Sequence, residues 1–175
     1  MDTTTRERRW HREDLDGFPD DGHRRELVDG RLLVSPLARR RHQAAVLSIA
    51  RALADWADEP GGAVYPGVNV DLAADTHLEP DVVWASDEDT SGAGFVTTPE
   101  LVVEVGSPST HRYDRGVKRT RYLSSGALEV WLVDLERSEI EVHRRDGTTS
   151  THALGDHVTA GPLPGFRAAV ADLLG

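Results

Sequence analysis

Residues Glu100 to Val105 read ELVVEV. A nearly unbroken run of β-branched apolar residues suits a central strand covered on both faces. A chain built around such a strand needs a layer on each side of its sheet, and the rest of the sequence supplies candidates. Arg39 to Glu59 is the clearest helix: Val46, Ile49, Ala50, Leu53, Trp56 and Ala57 recur every three or four residues, and Pro60–Gly61–Gly62 stops it. A second helix is expected from about His111 to Ser124, after several possible N-caps and before Gly126. Asp29–Gly30 sits between two β-prone runs and predicts a hairpin. Further strands are expected at Ala63 to Leu72 (a pair or one bent strand), Leu78 to Ala85, Leu128 to Asp134 and Glu139 to Arg144. A short helix is expected near Trp10 to Gly17, an exposed loop over Ser86 to Pro99, and a last apolar turn at Val170 to Leu174. This order predicts a mixed sheet with helices packed on it, in the α/β or α+β class.

At 175 residues, without internal repeat or linker, the chain is expected to form one domain over 10–175, preceded by a frayed polar segment, 1–9. Cysteine is absent, which removes disulfides, Cys-ligated zinc, iron–sulfur clusters and thiol nucleophiles. The first ten residues have no apolar core and read as no signal peptide. No run approaches the roughly 18 apolar residues of a membrane helix, so no membrane partner and a cytoplasmic location are expected.

The formal charge is −10, concentrated between His42 and Glu100, where one Arg faces eleven acidic residues. That balance counts against a general nucleic-acid binder but leaves room for a local basic surface from the two ends of the chain. Of the twenty basic residues, nineteen are Arg and one is Lys. If surface Lys has been exchanged for Arg wherever either serves, the survivor, Lys118, marks a place where a compact ammonium is required.

Two carboxylates lie in apolar surroundings: Asp81, between Pro80 and Val82–Val83–Trp84, and Glu104, inside the ELVVEV strand. A dry ionised carboxylate must be paired, protonated or bound to a cation. One solution is an ion pair with an Arg. Another, if the two strands adjoin, is a shared divalent cation, for which hard oxygen donors favour Mg²⁺ or Mn²⁺. Asp114, Lys118 and Tyr122 lie four apart on the expected helix, which could bring Lys118 beside that ion to hold water or offset charge on a phosphate. The bland alternative is a solvated Asp114–Lys118 pair. His42, four residues before Val46, extends the inward stripe of its helix and reads either as a satisfied helix-start histidine or as a polar group aimed at the sheet. No P-loop, H-E-x-x-H, nucleophile elbow or dinucleotide fingerprint is present.

Pro80–Asp81, Val102–Val103–Glu104–Val105, Ser107–Pro108–Ser109, Asp114, Lys118, Tyr122 and Glu129 to Asp134, in that order, together resemble the Uma-two family of restriction endonucleases in the PD-(D/E)xK nuclease superfamily. Glu26–Leu27–Val28–Asp29–Gly30 and Arg41–His42–Gln43 resemble it too, so the likeness covers about Trp10 to Leu174. It implies a restriction-endonuclease-like fold, a central mixed β-sheet flanked by helices, and Mg²⁺- or Mn²⁺-dependent hydrolysis of DNA phosphodiester bonds. It further implies Asp81 and Glu104 as metal ligands and Lys118 as catalytic base or charge stabiliser. Glu26, His42 and Tyr122 are accessory candidates at the same cleft. The superfamily lysine stands two residues after the second acidic residue; Gly106 is there in this chain, and the resemblance implies that the role has moved to Lys118. Expected DNA contacts are Arg39, Arg40 and Arg41 together with Arg112, Arg115, Arg119 and Arg121. A homodimer is expected by analogy with enzymes that cut two strands. The competing readings are a non-catalytic scaffold that keeps the fold, which the acidic charge favours, and a hydrolase of a smaller phosphate ester.

Overall fold

The Asp29–Gly30 hairpin forms as its chemistry dictates. Both residues take positive φ, 53° and 75°, the pattern of a two-residue turn that matches the twist of the flanking strands. In the computed structural model, which describes residues 8–36, 38–57, 61–86, 96–106 and 114–175, this turn joins β1 (Arg24–Val28) to β2 (Arg31–Ser35). Ahead of them, α1 (Arg12–Leu15) is a single turn. Arg8 and Arg9, expected to be frayed, are tied to Asp14 and Asp75, while residues 1–7 lie outside the described part.

The expected helix is α2 (Arg40–Ala57), with Ala45, Val46, Ile49, Ala50 and Leu53 buried along one stripe. Each of the larger ones contributes about 1.5–3 kcal/mol by leaving water. The run from Ala63 divides into β3 (Ala63–Pro66) and β4 (Val70–Ala73), in different sheets. Leu78 to Ala85, expected as one strand, is two. β5 (Thr76–Leu78) ends at Glu79–Pro80–Asp81, and β6 (Val82–Ala85) then begins in another sheet. Proline has no N–H for a ladder, so the chain changes sheets there, and Asp81 is left at the mouth of β6. The expected exposed loop is corrected at one point: Val96 is buried and bridges Val70; residues 87–95 lie outside the description.

β7 (Leu101–Val105) is buried at every position. It is followed by a π-helical turn (Asp114–Lys118) that runs into α3 (Arg119–Ser125). Then come β8 (Glu129–Asp134), β9 (Glu139–Arg144), β10 (Thr149–Ala153), β11 (His157–Thr159), β12 (Arg167–Ala169) and α4 (Val170–Leu174). The large sheet has the order β10-β9-β8-β7-β6-β3 and is mixed: β7 and β8 run parallel across the α3 connection, and the other pairs are antiparallel. A second sheet has the order β2-β1-β5-β4, and β11 pairs with β12.

Alternation along the strands sorts the core into two layers. Val82, Trp84, Leu101, Val103 and Val105 face α2 and α4. Val83, Ala85, Val102, Val130 and Leu132 face Tyr122 of α3 and Val28, Val70 and Leu78 of the smaller sheet. The central strand is therefore covered on both sides, as its sequence requires.

Candidate active site

Three buried carboxylates, Glu26 on β1, Glu104 on β7 and Asp81 just before β6, lie near the end of β7. β6 and β7 are antiparallel, and their last facing pair is Val82 with Val103. One step further, Asp81 and Glu104 oppose each other on the face that holds Val83 and Val102. Glu26 comes from β1, whose neighbour β5 brings the Glu79 N–H to Glu26 Oε1 at 2.9 Å. Exposure of all three is 3% or less.

Their cations come from elsewhere in the chain. Lys118 is 1% exposed, so the solvated-pair reading is overturned. Its Nζ donates to Glu26 Oε2 at 2.8 Å and stands 3.6 Å from Glu104 Oε1. The Tyr122 hydroxyl donates to Glu104 Oε1 at 2.8 Å. Lys118, the last residue of the π-helical turn, and Tyr122 of α3 present their side chains to the same carboxylate, as their spacing predicts. The helix before them is not as expected, because the turn ending at Lys118 is π-helical. Such turns widen a helix and recur at functional sites. The Asp114 and Arg115 side chains and residues 107–113, Arg112 included, lie outside the described residues.

Asp81 is held by three groups. Arg24, two residues before Glu26 on β1, donates two N–H groups to Oδ1, each at 3.2 Å. The Val105 N–H donates to Oδ2 at 2.7 Å, and His42 Nε2 lies 3.2 Å from the same oxygen. Of the two readings of His42, the structure shows the one aimed at the sheet; its Nδ1 is buried with no partner among the described residues. The structure thus pairs Asp81 with an Arg, the alternative that the sequence left open. Burial pushes the Asp81 carboxyl up, but His42, Arg24 and the Val105 N–H outweigh it and hold it below the usual range. Glu79, 3.4 Å from Arg24 Nε, is pushed up by burial despite that guanidinium.

Burial alone does not make a site. Glu129 is 1% exposed at the far end of the strands, opposite Leu101. There it takes Trp131 Nε1 at 2.6 Å and Arg144 Nε at 3.0 Å, a clamp from neighbouring residues. At the Asp81–Glu104 end, three acids instead converge on one spot.

Arg24 is the residue that sequence reasoning missed. In a chain with nineteen Arg, the pair Arg24–Arg25 carries no distinguishing mark. The available signal was period two: Arg24 shares a strand face with Glu26, and Arg25 turns the other way to Asp21. Among the expected DNA contacts, Arg39, Arg40 and Arg41 are exposed at the start of α2, beside His42. Arg119 is half-buried, and Arg121 is engaged by Asp29 at 2.7 Å.

A family model described as "Putative restriction endonuclease", Uma2, matches residues 12–171. The chain belongs to the Uma2 family. Its fold is also similar to a crystal structure described as a "putative nuclease" of the DUF820 family from Anabaena variabilis ATCC 29413, with a TM-score of 0.81 and 14% identity, covering 94% of this chain and 97% of that one. At that identity the likeness concerns the fold, and it agrees with the nuclease-like α+β architecture that the Uma2 assignment implies. No curated protein matches the chain. Among the described residues no helix is long and apolar enough to cross a membrane.

Whether the cluster suits the divalent ion of such nucleases is a question of donors. Among the described residues no three His, Asp or Glu side chains form a ready cage. Mg²⁺ does not need one, since it commonly takes one or two carboxylates and completes its shell with water and substrate phosphate. Asp81 and Glu104 offer two such carboxylates at facing positions, in a spot that already draws the cations of Arg24 and Lys118. The donor set therefore fits a hard divalent cation.

Proposed function

We propose that this Uma2 protein is a Mg²⁺- or Mn²⁺-dependent endonuclease that hydrolyses DNA phosphodiester bonds at the Asp81–Glu104–Lys118 cluster. The observation that carries the reading is the buried Lys118 ammonium set between Glu26 and Glu104, beside an Asp81 that faces Glu104 across two strands. An ammonium in this position has no reason to be dry unless its charge is used, because an apolar pair of like volume is often at least as stable.

In this reading Asp81 and Glu104 hold the ion. When bound, it would polarise a phosphoryl oxygen and make nearby water more acidic. Glu26 fixes the direction of Lys118 through the 2.8 Å bond. The Lys118 ammonium, so directed, then offsets charge gathering on the phosphate. Tyr122 donates to Glu104 Oε1 and fixes the orientation of that carboxylate. His42, hydrogen-bonded through Nε2, steadies Asp81 from the α2 side. Arg39, Arg40 and Arg41 supply phosphate contacts outside the cluster.

Two cuts in a duplex call for two centres, which a symmetric homodimer would provide. In this reading the protein works in the cytoplasm, with DNA in reach. The test is cleavage of supercoiled plasmid with Mn²⁺, comparing the natural protein with Asp81→Ala. Cleavage by the first and none by the second supports the proposal. Cleavage by neither would replace it with the scaffold or small-ester reading.

A further inference from the structure

We infer that Arg24 is the resident counter-cation of the metal site, holding Asp81 while no divalent ion is bound and giving it up when one binds. This rests on the metal reading of Asp81. It adds a residue and a regulation that follow from the geometry around that carboxylate.

A carboxylate has about four lone-pair positions. On Asp81, Arg24 takes two at Oδ1, and the Val105 N–H and His42 approach Oδ2. A divalent ion can reach Asp81 only if one of these partners yields. The Val105 N–H belongs to the central strand and is fixed. His42 is anchored on α2, whose next turns are packed into the core. Arg24 differs from both: 24% of its side chain is exposed, and it stands at the first residue of β1 on a long flexible stem. Its bonds to Oδ1, at 3.2 Å, are long for a charged pair.

Arg24 also has somewhere to go. Its Nε is 3.4 Å from Glu79 Oε1, a half-exposed carboxylate beside Pro80. Turning about that contact would carry the two terminal nitrogens off Asp81 without stranding the guanidinium. Freed toward the cleft mouth, the same fork matches two oxygens of a phosphate. Arg24 is therefore a positioning residue for the ion, and exchange on Asp81 couples ion binding to the release of a phosphate-binding group.

The exchange predicts an affinity change opposite to that of ordinary site damage. In Arg24→Met the ion no longer competes with a charge-assisted pair, so Mn²⁺ should bind about tenfold to a hundredfold more tightly, while plasmid cleavage falls. Mn²⁺ should also raise the melting temperature of Arg24→Met more than that of the natural protein, because it replaces the missing charge beside a buried carboxylate. Arg25→Met, on the opposite face of β1, should leave Mn²⁺ affinity unchanged. If Arg24→Met does not fold, Arg24→Lys, which loses the two-pronged grip, should show the same tightening to a smaller degree. The measurement is Mn²⁺ titration by electron paramagnetic resonance on the full chain, with Asp81→Asn as the site-loss control. Binding that Asp81→Asn abolishes and Arg24→Met strengthens supports the exchange. Binding that Asp81→Asn abolishes but Arg24→Met leaves equal or weaker overturns the exchange and spares the metal site. Absence of binding in the natural protein overturns both.

Discussion

Replacing Lys118 by Met keeps the length of the side chain and removes its charge. Lys118 Nζ lies 2.8 Å from Glu26 Oε2 and 3.6 Å from Glu104 Oε1, and the three side chains are 2–3% exposed. Water cannot take over the ammonium's role without opening the layer between the two sheets. Removing one partner of such a pair costs about 3–5 kcal/mol, because the remaining carboxylate is left buried without its cation. A surface pair would cost about 0–1 kcal/mol. Against the roughly 5–15 kcal/mol that holds a domain together, the expected loss is severe. Urea unfolding at pH 7 should show the midpoint falling with an unchanged slope, and melting should drop by about 6–20 °C. Glu26→Gln in the same chain should recover part of the loss, since its oxygen can still accept the Glu79 N–H while the unpaired charge is gone. A loss below about 1 kcal/mol, indifferent to Glu26→Gln, would refute the buried clamp.

Three further outcomes follow from the same geometry. Lys118→Arg should keep Mn²⁺ binding yet lose most cleavage, since a planar guanidinium cannot hold a point position between two carboxylates and a misplacement of about 1 Å can cost on the order of a hundredfold; full plasmid cleavage in that variant would strip Lys118 of the role. Asp81 has a folded pKa below its unfolded value of 3.8, so its contribution to stability is whole above about pH 4 and is lost as pH falls through the lower folded value. Urea unfolding from pH 6 to pH 3 should therefore be less acid-sensitive in Asp81→Asn than in the natural protein. Replacing Arg39, Arg40 and Arg41 together by Gln should weaken DNA binding and flatten its salt dependence by releasing fewer counterions; a salt slope equal to that of the natural protein would remove the segment from the interface.

What the sequence made legible is local or compositional. Asp29–Gly30 dictates its own turn, and the α2 stripe its own helix. Glu104 stood out because four apolar residues around it, Leu101, Val102, Val103 and Val105, predict burial, and Lys118 because an Arg-rich chain made a lysine conspicuous. What stayed hidden is set by long-range pairing. Glu26 and Lys118 are 92 residues apart, and no local pattern announces their bond. Arg24 was invisible for the reason that made Lys118 visible: one more Arg among nineteen. The run Leu78 to Ala85 looked like one strand because its apolar residues are continuous. The break at Glu79–Pro80–Asp81 becomes evident only when the two halves join different sheets, and that break is what brings the Glu79 N–H to Glu26 and Asp81 to the Val105 N–H beside Glu104. The π-helical turn was hidden because spacing of four also suits an ordinary helix.

In the proposed function, Asp81 and Glu104, facing each other at the ends of β6 and β7, form the catalytic centre. The most direct measurement is the rate of Mn²⁺-supported plasmid nicking by Glu104→Gln relative to the natural protein. Gln keeps the shape of the side chain and an oxygen for the Tyr122 hydroxyl but removes the negative charge. Glu104→Gln should fold, and its nicking should fall at least about a thousandfold, the order expected when a principal electrostatic group of a catalytic site is lost. Nicking within a few-fold of the natural rate, by a Glu104→Gln protein that melts cooperatively, would contradict it.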